Sequence, residues 1–459
     1  MRALFCMVSN DISGGNKVFR HWMKLLIEDG HQVHFYVWDK RRQFSGWPDL
    51  PAIEHQSIEE TSKGNFDFVF FSNLFLVPMF LPYIGNARPV LMSMAYESFH
   101  YGKTYDQAMQ DKVGFSKILR LPISIMAVSK TMQNLLRERV GVDSYYVPQG
   151  IDSHFYLRPA APFARSPKRI LMVGSYLTPW KGMTDGFEAI ERLSKEMEVQ
   201  LVMITQPTIN RNIFNKYNFP IEFHCRPELN RIPEIYASCH VNLCCSWHEG
   251  AGLPTMESMR CGVPAIATRN DGNVEFARDG QNILLVDKND STDMYDKLKL
   301  LFSNPDLSKH MREQGEIAMR PYSWDTGFAL FKKAQQEISE TTVPCQVDEA
   351  KMKELLQELE AEGLFTPIDT YKTLTSLDKD LQVLCEKLSQ GELTVQSAVE
   401  VLNNIKNELS PFVQNEKSEY FDSFRAPFDL CRLLISLKDE PKFVEYAASI
   451  SSQQKASRK

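Results

Sequence analysis

Short apolar runs alternate with amphipathic helical patterns along most of the chain, and this alternation constrains the fold more than any other feature. It is typical of parallel β-sheets covered by helices. The runs predicted as strands in the first third are Arg2 to Ser9, Gln32 to Val37, Phe66 to Phe71, Pro89 to Met94 and Ile125 to Val128. Lys17 to Glu28 is predicted as a helix, and Gly30 follows where a left-handed residue ends a helix. The first third therefore predicts one doubly wound α/β unit.

A second series of the same kind begins after the proline-rich segment Leu157 to Lys168. Its predicted strands are Arg169 to Val173, Leu201 to Ile204, Ile221 to Cys225, Val241 to Cys245, Ala265 to Thr268 and Asn282 to Val286. Its predicted helices are Gly182 to Lys195, Ile232 to Ala237 and Pro254 to Arg260. Open parallel sheets bind ligands at the carboxyl ends of their strands. We therefore predict two Rossmann-like domains, residues 1–156 and 157–325, with a cleft between them.

The pattern changes again near residue 346, after which no strand is predicted. Residues 349–361, 374–389, 394–409 and 428–437 are predicted as helices, so 346–459 is predicted as a helical extension. This extension contains 14 Lys and Arg and 20 Asp and Glu, so it carries the whole net charge of −6 and the preceding residues are neutral. A general nucleic-acid binder needs a basic excess, so nucleic acid is excluded as a partner. The acidic excess is interpreted as a solvated face.

Cysteine usage and hydropathy bear on the compartment. The nine cysteines lack the paired spacing of zinc sites and are odd in number, which predicts free thiols in a reducing, cytoplasmic setting. No signal peptide is recognised at the start of the sequence. The longest apolar region, Phe66 to Ile84, is interrupted by Ser72, Asn73 and Pro78. We therefore expect a soluble protein with at most peripheral membrane contact.

The segment from Trp247 to Pro264 predicts a strand, a glycine-containing loop and a short helix. Pro254 stands where a first helical residue belongs, and Gly262 where the helix ends. Free amides at the start of a helix bind anions, and glycines let a phosphate approach the backbone. The residues predicted to form this anion site are Gly250, Ala251, Gly252 and Leu253.

Two acidic residues flank the predicted anion site. Glu249 stands at the entrance of the loop, and Glu257 is predicted in the first turn of the helix. Carboxylates at this place would repel phosphates unless each had another duty, such as accepting hydrogen bonds from sugar hydroxyls. The alternative is an ordinary tight turn with two surface acids.

Glu249 and Glu257, with seven residues between them and Gly-Ala-Gly-Leu-Pro inside, resemble the signature of retaining glycosyltransferase family 4, which has the GT-B fold. Further stretches resemble family segments in chain order: Gly14-Gly15, Gly30 to Val33, Ala127 to Ser129, Val147 to Asp152, Lys181-Gly182, Asp271 to Glu275 and Asp279 to Asn282. The resemblance spans about residues 1–340. It also implies that the helix within residues 326–345 crosses back to the first domain.

The resemblance implies transfer of a hexose from a nucleotide-diphosphate sugar to a hydroxyl of a glycan or lipid-linked saccharide, as in cell-surface polysaccharide biosynthesis. The amides of Gly14, Gly15 and the Gly250 to Leu253 loop, together with Lys181, would hold the diphosphate. Glu249 would hold donor sugar hydroxyls and Glu257 the ribose hydroxyls, with Arg226 to Leu229 beside the base. The nucleotide sugar is a co-substrate, no other cofactor is implied, and no metal is implied because no paired Asp motif is present.

The residues around Lys181 support the phosphate role independently of the family. Lys181 is predicted near the amino end of a helix, where the helix dipole disfavours a cation unless an anion binds there. The alternative is a solvated lysine. Many family members place an arginine after the strand-ending glycine, but this chain has Ser175. The clamp is therefore incomplete or rebuilt. Arg211 is a candidate substitute, although a surface arginine is the simpler interpretation.

The first domain also departs from the family pattern. Many members end a strand here in His-Asp, whereas this chain reads Met92 to Glu97, so no catalytic histidine is carried over. Tyr96-Glu97 resembles a subgroup with members that act on rhamnose-containing polysaccharides, and Glu97 is predicted to orient the acceptor. The alternative for Glu97 is a helix-capping or surface acid. His100 is interpreted as structural, and His248 either lines the donor site or is structural.

Two other function classes compete with the glycosyltransferase interpretation. A nicotinamide-dependent dehydrogenase would show a close GxGxxG after the first strand, and Gly14-Gly15-Asn16 lacks that spacing. A GT-B chain without its clamp arginine is also compatible with a catalytically inactive partner subunit that binds through the helical extension. Self-association through that extension is a further expectation.

Overall fold

The computed structural model describes residues 1–11, 13–43, 46–102, 104–159, 161–176, 178–205, 211–341 and 347–364, and beyond these residues 380, 383, 384, 387, 390, 392, 394–414 and 431. It divides into two compact units, Met1–Glu349 and Ala350–Lys459. No helix in the described part is long and apolar enough to cross a membrane.

The first sheet has seven strands, all parallel, in the order β3-β2-β1-β4-β5-β6-β7. Its strands are β1 Arg2–Asn10, β2 Gln32–Gln43, β3 Ile53–His55, β4 Phe68–Phe71, β5 Arg88–Ser93, β6 Ser124–Ala127 and β7 Tyr145–Tyr146. The helices of this part are α1 Gly14–Glu28, α2 Ile58–Ser62, α3 Leu76–Phe80, α4 Tyr105–Ala108, α5 Val113–Leu119 and α6 Lys130–Val140. Short 3-10 helices lie at Leu81–Tyr83 and Glu97–His100.

Helix α1 is positioned by a cap at each end and by one apolar face. The hydroxyl of Ser13 accepts the N–H of Asn16 at 3.1 Å, which satisfies one of the free amides of the first turn. Gly30 follows the helix with a φ of 83°, as the sequence predicts. Phe19 packs against Phe5 of β1 with ring centroids 5.0 Å apart. The amino end of α1 is thereby held at the carboxyl edge of the sheet.

The second sheet has six parallel strands in the order β10-β9-β8-β11-β12-β13. They are β8 Lys168–Val173, β9 Val199–Thr205, β10 Ile221–Cys225, β11 Val241–Cys244, β12 Ala265–Thr268 and β13 Leu284–Val286. The helices are α7 Met183–Ser194, α8 Ile232–Ala237, α9 Leu253–Arg260, α10 Ser291–Ser303 and α11 Pro305–Met319, with 3-10 helices at Pro179–Lys181, Arg211–Phe214 and Leu229–Arg231. The predicted α/β class with two doubly wound sheets is confirmed.

Helix α12, Trp324–Thr341, follows the second sheet in sequence but packs on the first. Its Phe331 stacks on Trp22 of α1 at 5.1 Å between ring centroids and lies 5.5 Å from Phe70 of β4. A Cβ at Gly327 would overlap the carbonyl oxygen of Pro148, so glycine is required for this close approach. The helix therefore crosses from one domain to the other, as the resemblance implies.

The second compact unit is helical where it is described. Helices α13, Glu349–Ala361, and α14, Val395–Gln414, lie where the sequence predicts 349–361 and 394–409. The predicted helices 374–389 and 428–437 fall mostly outside the described residues. Met352, Leu355 and Leu359 form the buried face of α13.

Candidate functional site

The amino ends of α1 and α9 face each other between the two sheets. A Cβ at Gly14 would lie 4.0 Å from Cδ2 of Leu253, the first residue of α9, and a Cβ at Gly15 would lie 3.7 Å from Cε of Met94. Helix amino ends carry partial positive charge and free amides. The four predicted loop amides and the Gly14-Gly15 pair are therefore brought to one place.

The loop before α9 makes close contacts with the first domain. A Cβ at Gly250 would overlap the carbonyl oxygen of Met94, and the hydroxyl of Ser129 donates to the carbonyl oxygen of Gly250 at 2.7 Å. Gly252 has a φ of 68°, which glycine adopts without strain. The sequence predicts that these glycines admit a phosphate. At Gly250 glycine is needed for the close approach of Met94, and the phosphate role stays a prediction.

Lys181 and Glu249 form an ion pair. Nζ of Lys181 lies 2.6 Å from Oε1 of Glu249 and 4.2 Å from the ring centroid of Trp180. Lys181 ends the 3-10 helix Pro179–Lys181, one residue before the left-handed Gly182 that caps α7. The anion predicted to balance Lys181 at this helix end is supplied, in the structure, by Glu249.

Glu257 lies in the second turn of α9, so its predicted place in the first turn is wrong, because the helix already begins at Leu253. Its Oε1 is 2.5 Å from Nζ of Lys17 on α1, and its Oε2 accepts the hydroxyl of Tyr236 at 3.2 Å. Nζ of Lys17 is also 2.9 Å from Oδ2 of Asp152, which lies near the end of the first domain. One buried cation therefore bridges two carboxylates.

Burial and neighbouring charges shift the pKa values of Glu257, Asp152 and Lys17 in different directions. Burial raises the pKa of Glu257, and the attraction of Lys17 offsets only part of that rise. Burial alone would raise the pKa of Asp152, but Lys17 outweighs it and the net pKa is lowered. Burial would lower the pKa of Lys17, but the two carboxylates raise it above its ordinary value. Lys17 is therefore charged at neutral pH.

A further ion pair joins the loops after β1 and β10. The guanidinium of Arg226 lies 3.0 Å from Oδ1 of Asp11, and Arg226 has a φ of 48°, unusual for a residue with a side chain. The segment that begins at Arg226 is predicted to border the nucleotide base. That role stays a prediction.

Glu97 is buried in the first domain. Glu97 is 8% exposed, and its Oε1 and Oε2 accept the N–H of Leu74 at 2.9 and 3.2 Å. It is the first residue of the 3-10 helix Glu97–His100, and its burial excludes the surface-acid alternative. Its acceptor role stays a prediction.

His248 and His100 both join the two domains. Nε2 of His248 accepts the N–H of Tyr96 at 2.9 Å, and its Nδ1 is 2.7 Å from Oδ2 of Asp271, so the proton of the neutral ring is assigned to Nδ1. His100 stacks on Trp180 at 4.3 Å, and burial lowers its pKa. These direct contacts support a structural role for both histidines.

Sequence reasoning assigned no role to the side chains of three charged residues, Lys17, Asp152 and Asp11, and at Arg226 it predicted a role only for the segment beside the base. Lys17 follows Gly14 by three residues and so lies one helical turn from the amino end of α1. Glu257 follows Leu253 by four residues on the opposing helix. Lys17 and Glu257 thus lie at similar distances from the amino ends of their helices. Once both glycine segments are placed at one cleft, this similarity would have indicated that Lys17 pairs with Glu257. Among the described residues, no group of three or more His, Cys, Asp or Glu is arranged to hold a metal ion.

Residues 157–317 match the family model described as "Glycosyl transferases group 1". The match covers most of the second Rossmann-like domain. It includes the loop before α9, Lys181, Glu249 and Glu257, which are the residues gathered at the cleft.

Curated relatives are similar over part of their length. An uncharacterized glycosyltransferase of Methanocaldococcus jannaschii is 28% identical over 221 residues, which is 47% of this chain and 60% of the relative. A phosphatidyl-myo-inositol mannosyltransferase of Mycobacterium leprae is 24% identical over 236 residues, 49% of this chain and 62% of the relative. The alignments thus span about 60% of the length of these relatives.

Solved structures show the same fold at low identity. The sucrose-phosphate synthase of Thermosynechococcus elongatus superposes with a TM-score of 0.60 at 15% identity, covering 74% of this chain and all of that one. The Anabaena protein HepE, in complex with UDP-glucose, superposes with a TM-score of 0.56 at 14% identity, again over 74% of this chain. The chain has the GT-B fold.

Proposed function

We propose that this chain is a retaining glycosyltransferase that moves a hexose from a nucleotide-diphosphate sugar to a hydroxyl of a glycan or lipid-linked saccharide. The observation that carries the proposal is the meeting of the amino ends of α1 and α9 beside the Lys181–Glu249 pair, in a chain whose residues 157–317 match the glycosyl transferases group 1 model. UDP-glucose bound to the Anabaena protein of the same fold supports a nucleotide-sugar donor.

The proposed site stabilises the leaving diphosphate by electrostatics. Amides of Gly14, Gly15 and the loop before α9 point partial positive charge at the diphosphate, and Lys181 adds a full charge. The anomeric carbon–oxygen bond to the diphosphate breaks while the acceptor oxygen bonds to the same face. A donor phosphate oxygen takes the acceptor proton. The configuration at the anomeric carbon is therefore retained. The proposed reaction uses no metal ion.

The acids take the donor hydroxyls. When a phosphate oxygen replaces Glu249 as the partner of Lys181, the Glu249 carboxylate is released to accept hydrogen bonds from the donor sugar. Glu257 accepts from the ribose while it keeps its bond to Tyr236, because a carboxylate has room for about four hydrogen bonds. Glu97 orients the acceptor through the segment that it holds.

The experiment begins with a thermal-shift screen of nucleotide sugars, because a ligand that binds the folded state raises the unfolding temperature. With the donor found, we expect Glu257→Ala to weaken donor binding and Glu249→Ala to lower turnover. A buried charged hydrogen bond contributes about 1.5 to 3 kcal/mol, which corresponds to a loss of about tenfold to a hundredfold. Two stable variants with wild-type binding and turnover would rule out this assignment.

The setting is proposed with the activity. The relative named a phosphatidyl-myo-inositol mannosyltransferase supports a lipid-linked acceptor. We propose action in the cytoplasm in cell-surface polysaccharide biosynthesis, with at most peripheral contact at the inner face of the membrane. Self-association through the helical extension, residues 346–459, belongs to the same proposal.

A second candidate is a catalytically inactive partner subunit. Ser175 at the position of the clamp arginine favours it. Donor hydrolysis or transfer by the isolated chain decides between the two, because an inactive subunit turns over no donor even when it binds one.

A further inference from the structure

The amino end of helix α6 belongs to the first domain but makes two bonds to the second. Ser129 caps the helix, since its hydroxyl oxygen accepts the N–H of Met132 at 3.1 Å. The same hydroxyl donates to the carbonyl oxygen of Gly250 at 2.7 Å, and Ser129 is 2% exposed. One buried hydroxyl therefore serves the helix as an acceptor and the loop before α9 as a donor.

The second bond comes from Glu275. Its Oε2 accepts the N–H of Lys130, the first residue of α6, at 2.9 Å, and its Oε1 accepts the hydroxyl of Tyr146 at 2.8 Å. A carboxylate at a helix amino end is stabilised by the free amides and the dipole. Burial and the hydrogen bond to Glu275 raise the pKa of Tyr146, so Tyr146 remains a donor across the physiological range.

These bonds hold the loop whose amides are proposed to bind the diphosphate. The carbonyl of Gly250 is fixed by Ser129, and the side chain of His248, two residues earlier, accepts the N–H of Tyr96. Gly272 packs against the loop from the other side, because a Cβ there would lie 2.7 Å from the amide nitrogen of Gly252. Glu275 follows Gly272 by three residues. The segment that backs the loop is thus joined to α6 as well.

We propose that Ser129 and Glu275 are positioning residues that hold the donor loop in the shape that binds the diphosphate. Ser129 fixes the carbonyl of Gly250, so that the amides after it point at the diphosphate. Glu275 joins the segment that backs the loop to the amino end of α6. The catalytic meaning of this positioning rests on the proposed function. Neither residue contacts substrate in the proposed reaction.

The two roles of Ser129 are separable by substitution. Ser129→Asp keeps an N-cap acceptor for Met132 but has no proton for the Gly250 carbonyl and places a negative charge beside it. Ser129→Thr keeps both the acceptor and the donor. Glu275→Gln keeps the size of the side chain and removes the charge that the α6 amides attract.

Ser57 offers a matched control for the Ser→Asp change. Its hydroxyl caps α2 by accepting the N–H of Glu60 at 3.1 Å, at an exposed site. Ser57→Asp changes a cap in the same way without a bond to the donor loop, so turnover should stay at the wild-type level.

The experiment compares hydrogen exchange of the peptide spanning residues 247–256 with donor turnover and product affinity. In Ser129→Asp we expect the hydrogen exchange of this peptide to become faster. We also expect kcat to fall by about tenfold or more, because a misplaced amide no longer stabilises the negative charge that develops on the leaving diphosphate. Glu275→Gln should shift both in the same direction by a smaller factor. Ser129→Thr should restore slow exchange and kcat. Unfolding temperatures near the wild-type value exclude loss of the fold.

Wild-type exchange and kcat in Ser129→Asp would overturn the proposal, and so would an equal loss in Ser129→Thr. If the wild-type chain turned over no nucleotide sugar, the proposed function would fail alone. The exchange comparison would still decide whether Ser129 and Glu275 order the loop.

Discussion

Replacement of Lys17 by methionine tests the charge cluster at the cleft. Lys17 is the cation between Glu257 and Asp152, and the side chains of the three residues are 14%, 6% and 14% exposed. Removing one partner of a buried ion pair costs about 3 to 5 kcal/mol, because the other charge stays buried without compensation. At about 2 °C per kcal/mol for a large domain, Lys17→Met should lower the unfolding temperature by about 6 to 10 °C near pH 8.

The pH dependence of this loss has a definite sign. In the wild type, burial already raises the pKa of Glu257 above its usual value, and Lys17 lowers the pKa of Asp152. Without Lys17 both carboxylates have folded-state pKa values above their unfolded ones, so the folded variant takes up protons first as the pH falls. The difference in stability between variant and wild type should therefore be largest at about pH 8 and shrink towards about pH 5.

Two further variants make the measurement specific. Lys24 lies on the same helix and pairs with Glu28 at 3.7 Å on an exposed face, so Lys24→Met should change stability by less than about 1 kcal/mol. Glu257→Gln in the Lys17→Met background removes one uncompensated charge and should recover part of the loss. An equal loss at every pH, with no recovery in the double variant, would refute the electrostatic reasoning.

Three other predictions concern separate parts of the chain. Lys181→Ala should reduce the affinity for a nucleoside diphosphate by about tenfold and leave the free nucleoside unaffected; equal losses in calorimetry would place Lys181 away from the phosphates. Glu97→Gln should destabilise the fold by about 1 to 3 kcal/mol in denaturant unfolding, since its carboxylate accepts the N–H of Leu74. A chain ending at Glu349 should remain folded and still bind donor, because the contacts divide there, and insoluble protein would show that residues 350–459 complete the core.

Much of the fold was predictable from local pattern. Buried strands read as short apolar runs, and the predicted strand ends at β1, β5 and β6 differ from the structure by one residue. β2 was predicted to end at Val37 but continues to Gln43, because its polar end still pairs with β1 at Asn10. Hydropathy gives no signal for such pairing. β13 begins at Leu284 and not at Asn282, whose side chain instead accepts the N–H of Arg278.

Only the main-chain part of the candidate site could be predicted from the sequence. Glycines and a helix start indicate an anion site, and the structure brings those segments together. Ion pairs such as Arg226 with Asp11 join residues more than 200 positions apart, and a single sequence gives no spacing rule for them. No spacing rule predicts the bond between Glu97 and Leu74 either, because the two residues lie in the loops after different strands. Domain-crossing bonds therefore had to come from the structure.

The ion pairs also bear on how acidic residues would coexist with the proposed phosphate site. Glu249 would repel a diphosphate if its charge were free, but it is paired with Lys181, as Glu257 is with Lys17. A diphosphate that takes Lys181 from Glu249 exchanges one anion for another at the same cation, so the cost of desolvating Lys181 has already been met in the folded chain. The released Glu249 carboxylate would repel the diphosphate unless new hydrogen-bond donors bind it, and in the proposed function the hydroxyls of the donor sugar supply them. A nucleoside diphosphate without a sugar leaves the Glu249 carboxylate without enough hydrogen-bond donors. The wild-type chain should therefore bind the nucleotide sugar more tightly than the nucleoside diphosphate. Glu249→Gln should reduce the difference between the two affinities.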